Sequence, residues 1–402
     1  MPTDLKNDRR LAQRPRLQEA CLKLEALAQD LGPEAKLPTT TQLRATLGVS
    51  VKTLNDAVRE LERRNTLRSV NGVGIYVANP APATTKNVVG LLYHSAESYG
   101  KQQSPYMQSL LNGIRSESKK NGVGILLADA DNTDVWDKLA GFLIYCNDPK
   151  MMKGYLAQLP PHLPRVLLLH REHDASVTNV AADDFGGAKL ATEHLIAQGH
   201  RRISYLLSSS PESLDYYSPL RRAGYHAALA EAGIEFEDGW VSYLNESNPE
   251  RRFEKNIADQ LNEINNPNLG YLMKSERRME LWLEHGWREL GCTAIMAHND
   301  STAIGVMRAL GKAGLRVPED VSVIGFDGTP LCEYSTPPLT TVEVPLHEIG
   351  ARALQLLQEQ INDCNVVPER VTLPVRFKPG QSVAPLLIEN KELTAASTAA
   401  LI

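Results

Sequence analysis

Residues 293–328, TAIMAHNDSTAIGVMRALGKAGLRVPEDVSVIGFDG, decide the fold. Two short, continuously apolar runs at 294–297 and 321–325 flank a segment at 301–313 that carries the apolar spacing of a helix. A strand that is apolar on both faces belongs inside a parallel sheet, with helices covering each side. This strand–helix–strand unit therefore predicts an α/β architecture.

The same alternation extends outward through the chain. Strands are predicted at 88–93, 123–127, 141–145, 166–169 and 203–207. Helices are predicted at 105–121, 186–198 and 219–232, closed by Gly122, Gly199 and Gly233. In open sheets of this kind ligands sit beyond the carboxyl ends of the strands. The charged stretch at 251–291 interleaves Leu272, Met279, Leu281, Trp282, Leu283 and Trp287. It is expected to add helices packed on the body rather than a lid.

Composition narrows the class. A chain of 402 residues predicts two or three domains. No apolar run is long enough to span a bilayer, and the first residues lack the apolar core of a secretory signal. Cys21, Cys146, Cys292, Cys332 and Cys364 are scattered without a CxxC pair, which predicts buried thiols and a reducing cytoplasm, with no metal site and no cofactor. Residues 1–80 hold 13 Lys+Arg against 9 Asp+Glu, while the whole chain is −5, leaving −9 for the remainder. A basic head on an acidic body points to a polyanionic partner for the head alone.

The head reads as three helices and a hairpin. Leu17, Ala20, Cys21, Leu24, Leu27, Ala28 and Leu31 make one helical stripe, ended by Gly32-Pro33. Thr39 or Thr40 caps a short helix with Leu43, Ala45 and Leu47 inward, closed by Gly48. Ser50 caps the next, whose inward face is Leu54, Ala57, Val58 and Leu61. Asn71-Gly72 then turns a β-hairpin. The sum is a winged helix-turn-helix over 1–78. Residues 79–87, with Pro80 and Pro82 and no large apolar side chain, read as a linker to a body at 88–385. Residues 386–402 are expected to form a disordered tail.

Two resemblances carry the functional reading. The head resembles the GntR family through Leu37-Pro38, Leu43, Leu47-Gly48-Val49-Ser50, Thr53, Ala57, Leu61, Gly72-x-Gly74 and Tyr76-Val77. It departs from that family at Thr40, Val51, Asn55 and Val73, where charged residues are usual, so the operator sequence is expected to differ. The body resembles the LacI/GalR repressors and their periplasmic sugar-binding relatives, through GGAKLATEHLIAQGHRRISYLL, Arg221-x-x-Gly224-Tyr225, residues 293–328 and PPLTTVEVP. The layout is similar to arabinose repressors of the AraR type. The body resemblance implies two α/β subdomains joined by three crossovers, one at about 88–182 plus 326–341 and the other at about 183–325 plus 342–380. It also makes 251–291 longer than the family spacing.

The expected interfaces follow. A recognition helix enters the major groove with its N-terminal residues foremost, which nominates Ser50, Val51, Lys52, Thr53 and Asn55. Lys36, Thr39, Thr40 and Arg44 are expected on phosphates, and the wing tip at Asn71 and Gly72 toward a minor groove. For the ligand, the resemblance puts Arg221 and Asp300 at a hydroxyl-binding pair and Tyr106 on the cleft wall. His94 and His170 end strands there, and Asp215, Tyr217, Glu246 and Tyr334 are further candidates. The expectation is a regulator, not an enzyme: a homodimeric, cytoplasmic repressor that binds operator DNA and a small carbohydrate effector, with no membrane partner. A transport-associated solute-binding protein and a regulator sensing a purine or other metabolite are the alternatives.

Overall fold

The computed structural model describes residues 15–32, 35–63, 66–70, 74–77, 87–94, 105–128, 136, 138–146, 149–170, 176–208, 217–244, 260, 264–266, 269–363 and 365–386. It divides into two compact units, residues 1–86 and 87–402.

The first unit holds helices α1 (Pro15–Leu31), α2 (Thr40–Leu47) and α3 (Val51–Arg63), then strands β1 (Leu67–Val70) and β2 (Gly74–Val77) paired antiparallel. Local chemistry sets the boundaries. Thr39 caps α2 in a capping box: its hydroxyl accepts from the Gln42 N–H, and its own N–H donates to the Gln42 side chain at 2.9 Å. Gly48 ends α2 in the left-handed region, at φ 65°, where a Cβ would be strained. Ser50 Oγ accepts from the Thr53 N–H at 3.1 Å and so starts α3. Leu24, Leu43, Leu54, Leu61 and Leu67 close a small core of their own. One element escapes the sequence pattern. Ala35–Leu37 lies along the hairpin as a further edge, with Leu37 N–H donating to Ile75 O and Val77 N–H to Ala35 O, both at 2.8 Å.

The second unit is built on two six-stranded sheets. The first contains β3 (Val88–His94), β4 (Gly124–Ala128), β5 (Phe142–Cys146), β6 (Arg165–Leu168), β7 (Thr178–Ala182) and β13 (Arg370–Leu373), in the all-parallel order β13-β7-β6-β5-β3-β4. The second contains β8 (Ile203–Leu207), β9 (Val241–Tyr243), β10 (Ala294–Ala297), β11 (Ser322–Asp327), β12 (Thr340–Glu343) and β14 (Arg376–Lys378), ordered β14-β12-β11-β10-β8-β9. Only β14 runs antiparallel. The helices are α4 (Pro105–Asn121), α5 (Pro149–Gln158), α6 (Asp184–Ala197), α7 (Ser218–Glu231), α8 (Tyr271–Glu284), α9 (Asp300–Lys312), α10 (Leu331–Tyr334) and α11 (Leu346–Asn362).

The lobe assignment expected for the C-terminal third needs correction. β12 pairs with β11, so residues 326–343 stay in the second lobe. α11 then packs on α4, β6 and β7, and β13 pairs with β7, so 346–373 belong to the first. β14 returns to the second. Both lobes use the same apolar strands, so strand chemistry alone does not say which sheet a strand joins. Packing does: Gly113 and Gly350 let α4 and α11 approach until a Cβ on Gly113 would collide with the His347 carbonyl and one on Gly350 with that of Leu110.

The second half of the 251–291 stretch packs into the second lobe. α8 lies against α9 and buries Met279, Leu281 and Trp282. Trp287 Nε1 donates to Ser204 Oγ at 3.1 Å, and Arg278 donates to Tyr243 O and Ser242 Oγ, both at 2.8 Å. Residues 251–259 and 261–263, and the expected tail from 387, lie outside the described residues.

Buried histidines are expected to make this unit acid-sensitive. His200 is enclosed by Thr293 Oγ1 at 2.8 Å, Ser322 Oγ at 3.1 Å and Ala384 O at 3.2 Å, and burial holds its pKa below the usual value. Burial lowers His194, His226 and, most strongly, His298 in the same way. Unfolded histidine titrates near 6.5, so below that pH the unfolded chain takes up more protons than the native one. The histidine contribution is complete above about pH 6.5 and is lost as pH falls below it. The melting temperature is therefore expected to drop between pH 7.5 and 5.5, and His200→Gln to flatten that drop; an equal slope in both proteins contradicts the assignment.

Candidate DNA-binding face and effector cleft

In the head, the N-terminal end of α3 is open. Ser50, Val51, Lys52 and Asn55 are exposed, with Val51 at 45%. Thr53 is half-buried, its Oγ1 2.9 Å from Ser50 Oγ, so it braces the helix start. Thr40 and Arg44 are exposed on α2, and Thr39 is committed to its cap. Lys36 and Arg68 flank the Tyr76 ring, at 5.9 and 5.7 Å from its centre. Arg68 joins this basic group although nothing in its local pattern marks it; only the hairpin register brings it to Tyr76. Asn71 and Gly72 lie outside the described residues.

In the body, the strand order reverses beside β3 in the first sheet and beside β8 in the second. The crevices beyond the carboxyl ends at such reversals are where ligands bind. Arg221, on the first turn of α7, is the hub there. It is 4% exposed, donates from Nε to Asp184 Oδ1 at 2.8 Å and from Nη1 to the His298 carbonyl at 2.6 Å, and has Nη2 3.6 Å from Asp327 Oδ1. Its guanidinium stacks on Phe326 at 3.7 Å and lies 5.1 Å from the Tyr217 ring centre. Burial works against its charge, but Asp184 and Asp327 outweigh burial and hold it firmly protonated. Asp327 sits at φ 112°, a left-handed conformation that a non-glycine residue adopts only under constraint. Tyr106, half-buried at the start of α4, comes from the other lobe. Burial and the Asp327 charge push its phenol well above 10, so it stays a hydrogen-bond donor. Tyr106, Arg221, Asp184 and Asp327 thus share one electrostatic environment across the lobes.

The other expected ligand residues divide. Tyr217 is in the group. His170 is buried at the end of β6, just after Leu169, which is left-handed at φ 57°. His94 closes β3 opposite Cys146. Asp300 does not present a free carboxylate. It is 0% exposed, with Oδ2 accepting from Thr329 N and Oγ1 at 2.6 and 2.8 Å and Oδ1 from Thr341 Oγ1 at 2.6 Å. It ties the start of α9 to the turn after β11 and to β12 inside one lobe, and burial raises its pKa despite these bonds. Tyr334 is 83% exposed, while Cys332 takes the inward side of the short α10. Asp215 and Glu246 fall outside the described residues. Asp184 and Asp327 are not among the residues the sequence nominates for the site, although they hold Arg221. Surface hollows of about 580 Å³ beside Arg165 and Thr178 and about 440 Å³ beside Met307 and Gly314 lie at the opposite ends of the strands.

A winged helix with an open recognition helix, carried on a two-lobed body with a buried charged hub at its strand ends, defines a ligand-responsive DNA-binding transcriptional regulator. Comparison with known proteins agrees. Residues 19–77 match the bacterial regulatory proteins of the gntR family, residues 86–273 the periplasmic binding proteins and sugar binding domain of the LacI family, and residues 192–383 the periplasmic binding protein-like domain. The ribose operon repressor of Escherichia coli K12 is 26% identical over 294 residues, covering 69% of this chain and 79% of its own length. The repressor PurR of Vibrio atlanticus is 26% identical over 300 residues, 71% and 78% of the two chains. A LacI family regulator from Enterococcus faecium, solved with bound ribose, superposes with a TM-score of 0.58 at 25% identity, covering 75% of this chain and all of that one. By these matches the body is similar to the LacI family's sugar binding domain and the head to the gntR family. Among the described residues no helix is long and apolar enough to cross a membrane.

Proposed function

We propose that the protein is a cytoplasmic, homodimeric repressor whose cleft binds a small uncharged carbohydrate and thereby changes its affinity for operator DNA. The Arg221 hub carries this reading. One guanidinium faces two carboxylates at the strand ends, with a protonated tyrosine from the other lobe. Such a group exchanges hydrogen bonds with hydroxyls as both donor and acceptor. Its described charges sum to negative, which opposes a phosphate or carboxylate ligand. The ribose-bound relative supports a sugar. The test is thermal unfolding of the full chain with ribose, arabinose, galactose, cellobiose and purine bases, beside ribose 5-phosphate. A native-state ligand raises the midpoint with its concentration. A shift with a neutral sugar and none with the phosphate is expected; the reverse contradicts the reading.

The proposed dimer contact is the edge strand β4 of the first sheet, where Leu126 and Leu127 are exposed, Leu127 at 66%, beside exposed Val88 on β3. Exposed apolar side chains on an edge strand invite pairing, and two heads on a palindromic operator need a two-fold contact. Leu127→Asp is expected to shift the protein toward monomer in sedimentation at micromolar concentration without lowering its melting temperature by more than a few degrees. An unchanged dimer removes this edge from the interface.

A further inference from the structure

We infer that His298 is an effector-reading residue, whose imidazole hydrogen-bonds a hydroxyl of the ligand; the inference rests on the sensor reading above. His298 follows β10 directly, at the carboxyl end beside the strand-order reversal in the second sheet. It is 2% exposed, and among the described residues its Nδ1 has no hydrogen-bond partner. A buried polar atom left in that state is costly and calls for an explanation, and a hydrogen-bonding ligand group would supply one.

The surroundings say what kind of ligand. The Tyr217 ring lies 5.2 Å from the imidazole and the Tyr271 ring 6.4 Å away, tilted by 33° and 41°. Tyr271 opens α8, so the extra-long 251–291 stretch adds a side to this aromatic wall. Burial and the positive charge of Arg221 both keep the imidazole neutral. A neutral imidazole offers one donor and one acceptor nitrogen, so it serves a hydroxyl in either role, while the flanking rings suit the apolar face of a sugar. The Arg221–His298 carbonyl bond couples this wall to the hub, so a ligand held at one positions the other. Asp300, two residues on, has its oxygens engaged within the lobe, whereas His298 keeps an unused hydrogen-bonding atom.

The test uses the full chain and the panel of ribose, arabinose, galactose and cellobiose, with Kd measured by calorimetry for wild type, His298→Leu and His298→Asn. Asparagine puts an amide near the place of Nδ1, and leucine fills the space with no polar atom. For the sugar that binds wild type, His298→Leu is expected to weaken binding about tenfold or more and His298→Asn to restore it to within about threefold. The melting temperature of ligand-free His298→Leu should stay level or rise, because an unsatisfied buried atom is removed; a purely structural histidine would lower it. In wild type with 15N-labelled histidine, the same sugar should move the His298 ring-nitrogen resonances, a readout that does not depend on either variant folding. Equal Kd in wild type and His298→Leu, or unmoved resonances at saturation, overturns the inference while leaving the sensor reading intact. If no panel sugar binds wild type, the carbohydrate reading itself fails and takes this inference with it.

Discussion

Arg221→Met is expected to lower the stability of the body by about 3–5 kcal/mol and to abolish the response of its melting temperature to effector. The first effect is electrostatic. The guanidinium is the counterion of Asp184, lies within reach of Asp327 and is almost fully buried. Removing one partner of a buried pair leaves uncompensated charge, which costs far more than the pair contributes in net terms. Asp184→Asn in the same background should recover part of the loss, since it removes one stranded carboxylate. The second effect is chemical, because methionine keeps the apolar stem over Phe326 but offers the ligand no donor. Denaturant unfolding and the sugar-dependent midpoint read the two separately. A variant as stable as wild type would mean the hub is more open to water than its burial indicates.

Asn55→Ala and Lys52→Ala are expected to weaken DNA binding in different ways. Both side chains are exposed on the open end of α3, with the helix start fixed by Ser50 and Thr53 behind them. An asparagine pairs in bidentate fashion with an adenine edge, so losing it should cost about 1–3 kcal/mol on the preferred duplex and relax the choice at one base pair. A lysine on phosphate carries no sequence information; its loss should weaken all duplexes alike and reduce the salt dependence by about one counterion. Duplexes selected from a random pool, titrated at several salt concentrations, separate the cases. Loss of affinity without loss of base preference in Asn55→Ala would move that residue to the backbone.

What could be read from the chain depended on how local the cause was. Helix starts and stops in the head are short-range events, so Thr39, Gly48 and Ser50 announce them in order. The edge at Ala35–Leu37 does not announce itself, because it pairs with Ile75 and Val77 across the whole helix-turn-helix. In the body, apolar runs mark strands such as β8 and β10 but not the lobe to which β12 or β13 belongs. The site shows the same limit. Arg221 was legible, while Asp184 lies 37 residues before it. Asp300 was legible as an acceptor, but Thr329 and Thr341, which occupy its oxygens, lie 29 and 41 residues away.

The central claim is that effector binding in the body changes the affinity of the head for DNA. The direct measurement is fluorescence anisotropy of a labelled, pool-selected duplex titrated with the full protein, without sugar and with a saturating amount of the sugar that raises its melting temperature. A coupling of about 1–3 kcal/mol should move the DNA Kd about 5- to 150-fold, and saturating DNA should move the sugar Kd by the same factor. A sugar that binds tightly while the DNA Kd stays fixed would contradict the account, because the cleft and the head would then be thermodynamically independent.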